Sequence, residues 1–355
     1  MVPIRQETGT LTGVTRRFQS QFVPASSALR RTGDTTPSWF RRPSHSDRAG
    51  HTKRGLLARV GTAVVAATTV VSLAACSSES SVETQPVDVA QPKIELTSAG
   101  SGELASVRWK DDGAEQESTA AVTQGFAQRG GNADSDQTFP DTRLEIPLTS
   151  TVTSDNDTRA VTSEVGKPHG SNDELNEDIA TAQGFISDSS TTATGEVKEL
   201  KLGAPEKATD TARAGVEMAL QQLHSVPIVF PSEDIGKDAT WTVESEVEGQ
   251  TKMTQKVTYT LLSRAGDIVN LKVDVKQVPT VTELDTGGEG ALKVVEATTD
   301  MLADRVTIDL TKPLPVKGNI DFVTSVTYGD GNSDVRITQQ THRGLEFKDG
   351  DGSRK

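Results

Sequence analysis

The residues that could do chemistry in this chain are few: one cysteine, Cys76, and beyond it three histidines, His169, His224 and His342. A thiolate or imidazole catalyst needs company, either a nucleophile beside a base or a set of ligands at metal-binding spacing. Cys76 has no second cysteine with which to form a disulfide or a zinc site. His169 falls in a loop-like stretch, His224 at the end of a helical pattern and His342 near the end of a strand-like one, so all three read as solvated or capping side chains. No G-x-S-x-G, H-E-x-x-H, P-loop or G-x-G-x-x-G signature occurs in the context it requires. The acidic stretches "NDELNED", "GDGNSD" and "DGDGSRK" invite calcium. The twelve-residue calcium loop, however, wants ligands at set positions and a terminal Glu, which none of them supplies. The expectation is a non-enzymatic protein with no metal site and no cofactor.

Cys76 is explained by what precedes it. Lys53, Arg54 and Arg59 form a basic region, Val60 to Val71 an uncharged apolar run, and small residues follow, the order of an export signal. Leu73-Ala74-Ala75-Cys76 resembles the lipobox of bacterial lipoproteins. The resemblance implies cleavage between Ala75 and Cys76, a diacylglyceryl group on the sulfur, and attachment to the lipid bilayer through acylated Cys76. A membrane-spanning helix would need roughly 20 apolar residues. Arg59 and Glu79 bracket a shorter run, diluted by Gly61, Thr62, Thr68, Thr69 and Ser72. Localisation at the cell membrane, lipid-anchored on its extracytoplasmic face, follows as an expectation.

Charge divides the chain at the same point. Residues 1–75 hold eleven Lys or Arg against three acidic residues, a net +8, whereas the remainder carries −21, which together give the chain's −13. An ectodomain so acidic is repelled by phosphates, which argues against a nucleic-acid partner. Residues 1–52, rich in Arg, Ser, Thr and Pro, read either as a disordered extension or as sequence upstream of a later translation start. Residues 53–75 are the signal, and 76–91 read as the lipidated cysteine followed by a polar, proline-containing tether.

The body after the tether reads as α+β, mostly β: twisted antiparallel sheets in two strand-rich halves, 92–206 and 207–348, with an amphipathic helix between them and a disordered tail over 349–355. "TRLEIPLTSTVTS" places Leu144, Ile146, Leu148 and Val152 on one face at period 2. Met253, Val257, Tyr259 and Leu261, then Val269, Leu271, Val273 and Val275 across the turn "RAGD", predict a hairpin with one dry face. Val306, Ile308 and Leu310, and Ile320, Phe322, Val326 and Tyr328, extend it. In "EKATDTARAGVEMALQQLHS", residues Ala212, Val216, Ala219, Leu220 and Leu223 form one apolar stripe, with Thr209 or Asp210 as N-cap. "DELNEDIATAQ" is a weaker, shorter helical candidate.

Pro231, Ile235, Gly236, Ala239, Trp241 and Val243, in a proline-containing approach followed by an I-G-x-x-A-x-W-x-V strand entry, resemble a group of uncharacterised bacterial envelope lipoproteins. The resemblance implies a β-rich ectodomain and supplies no catalytic residues. Two functions are then compatible with the sequence. One is a structural or protein-interaction module, its partner an envelope protein, with the helix stripe and hairpins in a closed core. The other is a carrier of a lipid or other apolar envelope molecule, its cavity lined by Val216, Leu220, Leu223, Val257, Tyr259, Leu271 and Val273.

Overall fold

Alternating side chains become strand wherever the run is long enough to bury one face. The computed structural model describes residues 82–130, 136–155, 157–247, 252–285, 291–330 and 336–350. The signal, Ala75 and Cys76 lie outside the described residues. The strands are β1 (Gln85–Val87), β2 (Lys93–Ser98), β3 (Ser101–Ala105), β4 (Gln116–Gly130), β5 (Gln137–Asp155), β6 (Thr158–Val165), β7 (His169–Gly170), β8 (Ile186–Thr192) and β9 (Val197–Gly203). After a helix come β10 (Ile235–Lys237), β11 (Thr240–Val247), β12 (Met253–Ala265), β13 (Ile268–Pro279), β14 (Glu283–Asp285), β15 (Ala291–Asp309), β16 (Lys317–Gly329) and β17 (Arg336–Asp349).

The protein is mostly β, and the strands pair antiparallel. Fifteen of them form one sheet in the order β1-β9-β8-β6-β5-β4-β17-β16-β15-β13-β12-β11-β2, with β14 added to β15 and β7 to β5. The sequence leaves open whether the two strand-rich stretches share a sheet; here they do, joining where β4 pairs with β17, from Ser118 opposite Asp349 to Gly130 opposite Ile337. Two boundaries move as well. Residues 85–87, assigned to the tether, pair with Leu200–Leu202 of β9. Asp349 and Gly350, assigned to the tail, donate their N–H groups to the carbonyls of Val316 and Glu117. In both places the backbone finds ladder partners that composition does not reveal.

Helix α2 (Asp210–Leu223) starts at Thr209, whose hydroxyl accepts from the Ala212 N–H at 3.1 Å. It buries Ala212, Val216, Ala219 and Leu220, and also Gln222, whose Nε2 donates to the carbonyls of Thr123 and Gly344 and so pins the helix to β4 and β17. The weaker candidate forms a short helix α1 (Asn176–Ile179) between two 3₁₀ turns.

The β12–β13 hairpin has the expected register, with Tyr259 opposite Val273 and Leu261 opposite Leu271. Beyond Lys272, β13 parts from β15, and its freed backbone is taken by side chains instead: Thr299 Oγ1 accepts from the Gln277 N–H at 3.0 Å. Gln277 reaches across to Thr324 of β16 and to Gln255 of β12, a buried polar row lying between the main core and a smaller cluster of Met253, Leu292, Val326 and Tyr328.

Candidate functional site

Residues 224–230, between α2 and β10, position the site. Three of their carbonyls, two residues apart, are each held by a side chain from β11 or β12. Gln255 Nε2 donates to Ser225, the Tyr259 hydroxyl to Pro227 and Trp241 Nε1 to Val229, all at 2.7 Å. Burial raises the Tyr259 pKa, so the hydroxyl remains a donor. The strap is thus fastened on one side to the core of the hairpins. Gly195, at φ +98°, lets it pass close to the loop before β9, because a Cβ there would meet the Ile228 carbonyl oxygen at 2.4 Å.

The strap also borders a partly open pocket of about 120 Å³. Its floor is the inner face of β6 and β8: Val161, Ser163, Ser187, Ser189 and Thr191. Leu220, Leu223 and His224 from the end of α2 close the roof, and Trp109, Arg159 and Pro313 close one end.

Arg159 is the strongest charge at the pocket, and it is neutralised. Its Nε and Nη2 donate to the two carboxylate oxygens of Asp111, each at 2.7 Å, and both side chains are about 95% buried, at 5% and 4% exposure. The guanidinium also lies 4.4 Å from the centre of the Trp109 ring, a cation–π contact strengthened by exclusion of water. Ser154 Oγ donates to the same carboxylate. Asp111 adopts a left-handed backbone at φ +43°, held by N–H bonds from Lys110 and Asp111 to the Leu310 carbonyl.

Other polar groups at the pocket are left over. Ser163 shares a 2.8 Å bond with Ser150, and Thr191 accepts from Arg159 at 3.4 Å. Among the described residues, the hydroxyls of Ser187 and Ser189 and the ring of His224 have no protein partner. The buried Trp109 Nε1 has none either. Burial lowers the His224 pKa to about 4, so near neutral pH its ring offers one donor and one acceptor.

A second cluster lies on the other face of the sheet. His342 stands between two carboxylates, Nδ1 at 2.7 Å from Asp141 and Nε2 at 2.6 Å from Asp321. Burial pulls its pKa down, but the two hydrogen bonds and the two negative charges outweigh burial and raise it. His169 lies 3.3 Å from Glu145, which also pairs with Arg143. No group of three or more His, Cys, Asp or Glu among the described residues is placed to share a cation.

Of the seven side chains expected to line a cavity, Leu220 and Leu223 do so. Val216, Val257, Tyr259, Leu271 and Val273 instead sit at 0–1% exposure inside the packed core, because facing strands and α2 meet there with no space between. Sequence reasoning missed Trp109, Asp111, Arg159, Ser187 and Ser189. The readable signal was the alternation of Ser187, Ser189 and Thr191 in "ISDSSTT", a strand whose inner face is small and polar. Comparison with protein-family models, curated proteins and solved structures returned no match to this chain.

Proposed function

We propose that this chain is a lipoprotein of the cell envelope, anchored through an acylated Cys76, whose two strand-rich halves and intervening helix serve together as a non-enzymatic structural or protein-interaction module. The observation that supports it best is the filled interior. Val216, Val257, Tyr259, Leu271 and Val273, which an apolar carrier would leave facing a void, pack into one cluster with Trp241 and Phe230. Drug-sized ligands occupy pockets of about 300–1,000 Å³, and 120 Å³ falls well below that range. Acyl chains on Cys76 would contribute about 0.8 kcal/mol per buried CH₂, so two or three chains hold the module at the bilayer surface.

The pocket itself favours a second reading, a binder of an envelope molecule, limited by its volume to a small ligand or to one end of a larger one. Native mass spectrometry of the protein after exposure to membrane lipids separates the two. The expected mass is polypeptide plus the modification on Cys76; a further stoichiometric lipid would replace the module with a carrier. Anchoring has its own test. Cys76→Ala should leave the membrane fraction or accumulate as an uncleaved precursor, and an unmodified thiol in the wild-type protein would refute attachment.

A further inference from the structure

We propose that the pocket between the end of α2 and the inner face of β6 and β8 is a binding site for a small uncharged alcohol, its hydroxyl held by Ser187, Ser189 and His224 and its apolar part by Leu220 and Leu223. This inference narrows the binder reading, on which it rests, to one chemical class; the module reading survives its failure.

Three observations lead to that class. First, the pocket holds polar groups that the fold has not used. Ser187 is 5% exposed, yet its hydroxyl, like those of Ser189 and the imidazole of His224, has no protein partner among the described residues. Ser189 and His224 are half-buried, and the polar atoms of all three face the partly open pocket, where water or a ligand satisfies them. A hydroxyl suits this set because Ser and neutral His each both donate and accept.

Second, the pocket carries no net charge. Asp111 pairs with the Nε/Nη2 edge of Arg159 and so neutralises its charge, the other N–H groups reaching Thr191 and the Pro313 carbonyl, and both charged groups are already desolvated. A carboxylate or ammonium entering here would lose its water and gain no counter-charge, which is costly. Third, the remaining walls are apolar: Leu148, Val161, Val197, Leu220 and Leu223 leave space for a short hydrocarbon body. An engineered cavity of about 150 Å³ in another protein accepts benzene, so about five or six non-hydrogen atoms fit inside 120 Å³, and a slightly longer chain extends into the open side.

The test is titration of the purified full-length protein with 1-hexanol, followed by saturation-transfer NMR and by the indole signal of Trp109, with hexanoate and hexylammonium as charged counterparts. The expected result is saturable binding of the alcohol in roughly the micromolar to millimolar range, a shift confined to Trp109, and at least ten-fold weaker binding of both ions. Ser187→Ala should weaken the alcohol roughly five-fold, the equivalent of one neutral hydrogen bond. Ser187→Leu, which fills the space, should abolish binding; if that variant fails to fold, Ser187→Ala and the ionic counterparts still decide. No saturable binding, meaning that water alone occupies the pocket, overturns the proposal. Equal or tighter binding of either ion overturns it too, as does a response at Trp241 without one at Trp109. A stoichiometric membrane lipid in the absence of alcohol binding would preserve the binder reading while refuting this ligand class.

Discussion

The inner faces of β6–β8 and of β11–β13 belong to one sheet and border the same strap, yet they are furnished in opposite ways. Along β11, β12 and β13 the inward positions hold Trp241, Tyr259, Leu261, Leu271 and Val273, all at most 2% exposed. Along β6 and β8 they hold Val161 and Val165, but otherwise Arg159, Ser163, Ser187, Ser189 and Thr191. Alternation, and hence strand formation, is satisfied by either set. What differs is side-chain volume: large apolar groups meet across the hairpins and leave nothing open, whereas serines leave a pocket with unspent hydrogen-bonding capacity. A row of rings connects the regions, Trp109 to Phe230 at 6.4 Å, Phe230 to Trp241 at 6.1 Å and Trp241 stacked on Tyr259 at 5.5 Å.

The contrast breaks most readily on the filled side. Trp241→Ala removes a fully buried ring, its stacking on Tyr259 and its bond to Val229, and should cost about 3–5 kcal/mol of unfolding free energy in denaturant titration. Leu271→Ala should cost about 2–5 kcal/mol by the same measure. On the pocket side the comparable loss comes from charge rather than volume. Asp111→Ala leaves Arg159 buried without its counter-ion and should destabilise by about 3–5 kcal/mol. The double variant Asp111→Asn with Arg159→Met should lose far less than the summed single changes, and additivity would show that the pair is not coupled.

Acid should distinguish the two histidines in direction. His224 is held neutral, with its pKa lowered from 6.5 to about 4. Its contribution is therefore whole above pH 6.5 and is lost as pH falls from there toward 4, because the unfolded chain takes up the proton first. His342 has a raised pKa, so its contribution is present below pH 6.5 and is lost as pH rises through the raised value. Comparing stability against pH, His224→Phe should flatten the acid side of the profile and His342→Gln the alkaline side; the reverse assignment would contradict both environments. The smallest change expected is Ser187→Val. Filling the pocket with a methyl group in place of an unpartnered hydroxyl should alter stability by no more than about 1 kcal/mol, whereas a loss of several would mean that the floor of β8 is already fully packed.

Legibility in the sequence followed the same division. The β12–β13 hairpin and α2 could be read nearly to the residue, because Val257, Tyr259, Leu271 and Val273, and Ala212, Val216 and Leu220, mark their periods with large or consistently apolar side chains. Strands β4, β6 and β8 are hard to read in the sequence because their inward residues include Ser118, Ala120, Gln124, Ser163, Ser187 and Ser189, which carry little hydropathic contrast. Missing β4 hid the junction that makes the sheet continuous. The apolar residues of the hairpins likewise suggest a pocket among themselves, whereas its walls combine the end of α2 with those low-contrast strands. Asp111 and Arg159 are 48 residues apart, and nothing in local spacing foretells such a pair.

The difference between the two faces can be measured directly at two indoles. Trp109 and Trp241 are both buried, but Trp241 Nε1 bonds to Val229 inside the filled region, while Trp109 Nε1 has no partner and its ring borders the pocket. Hydrogen exchange of the two indole N–H groups by ¹⁵N NMR should show Trp241 exchanging only as the whole protein unfolds, and Trp109 exchanging at least a hundred-fold faster, on the order of what a local opening a few kcal/mol below the global one permits. Equal, global protection of both would contradict the contrast, since it would require an interior beside β8 as closed as the one beside β12.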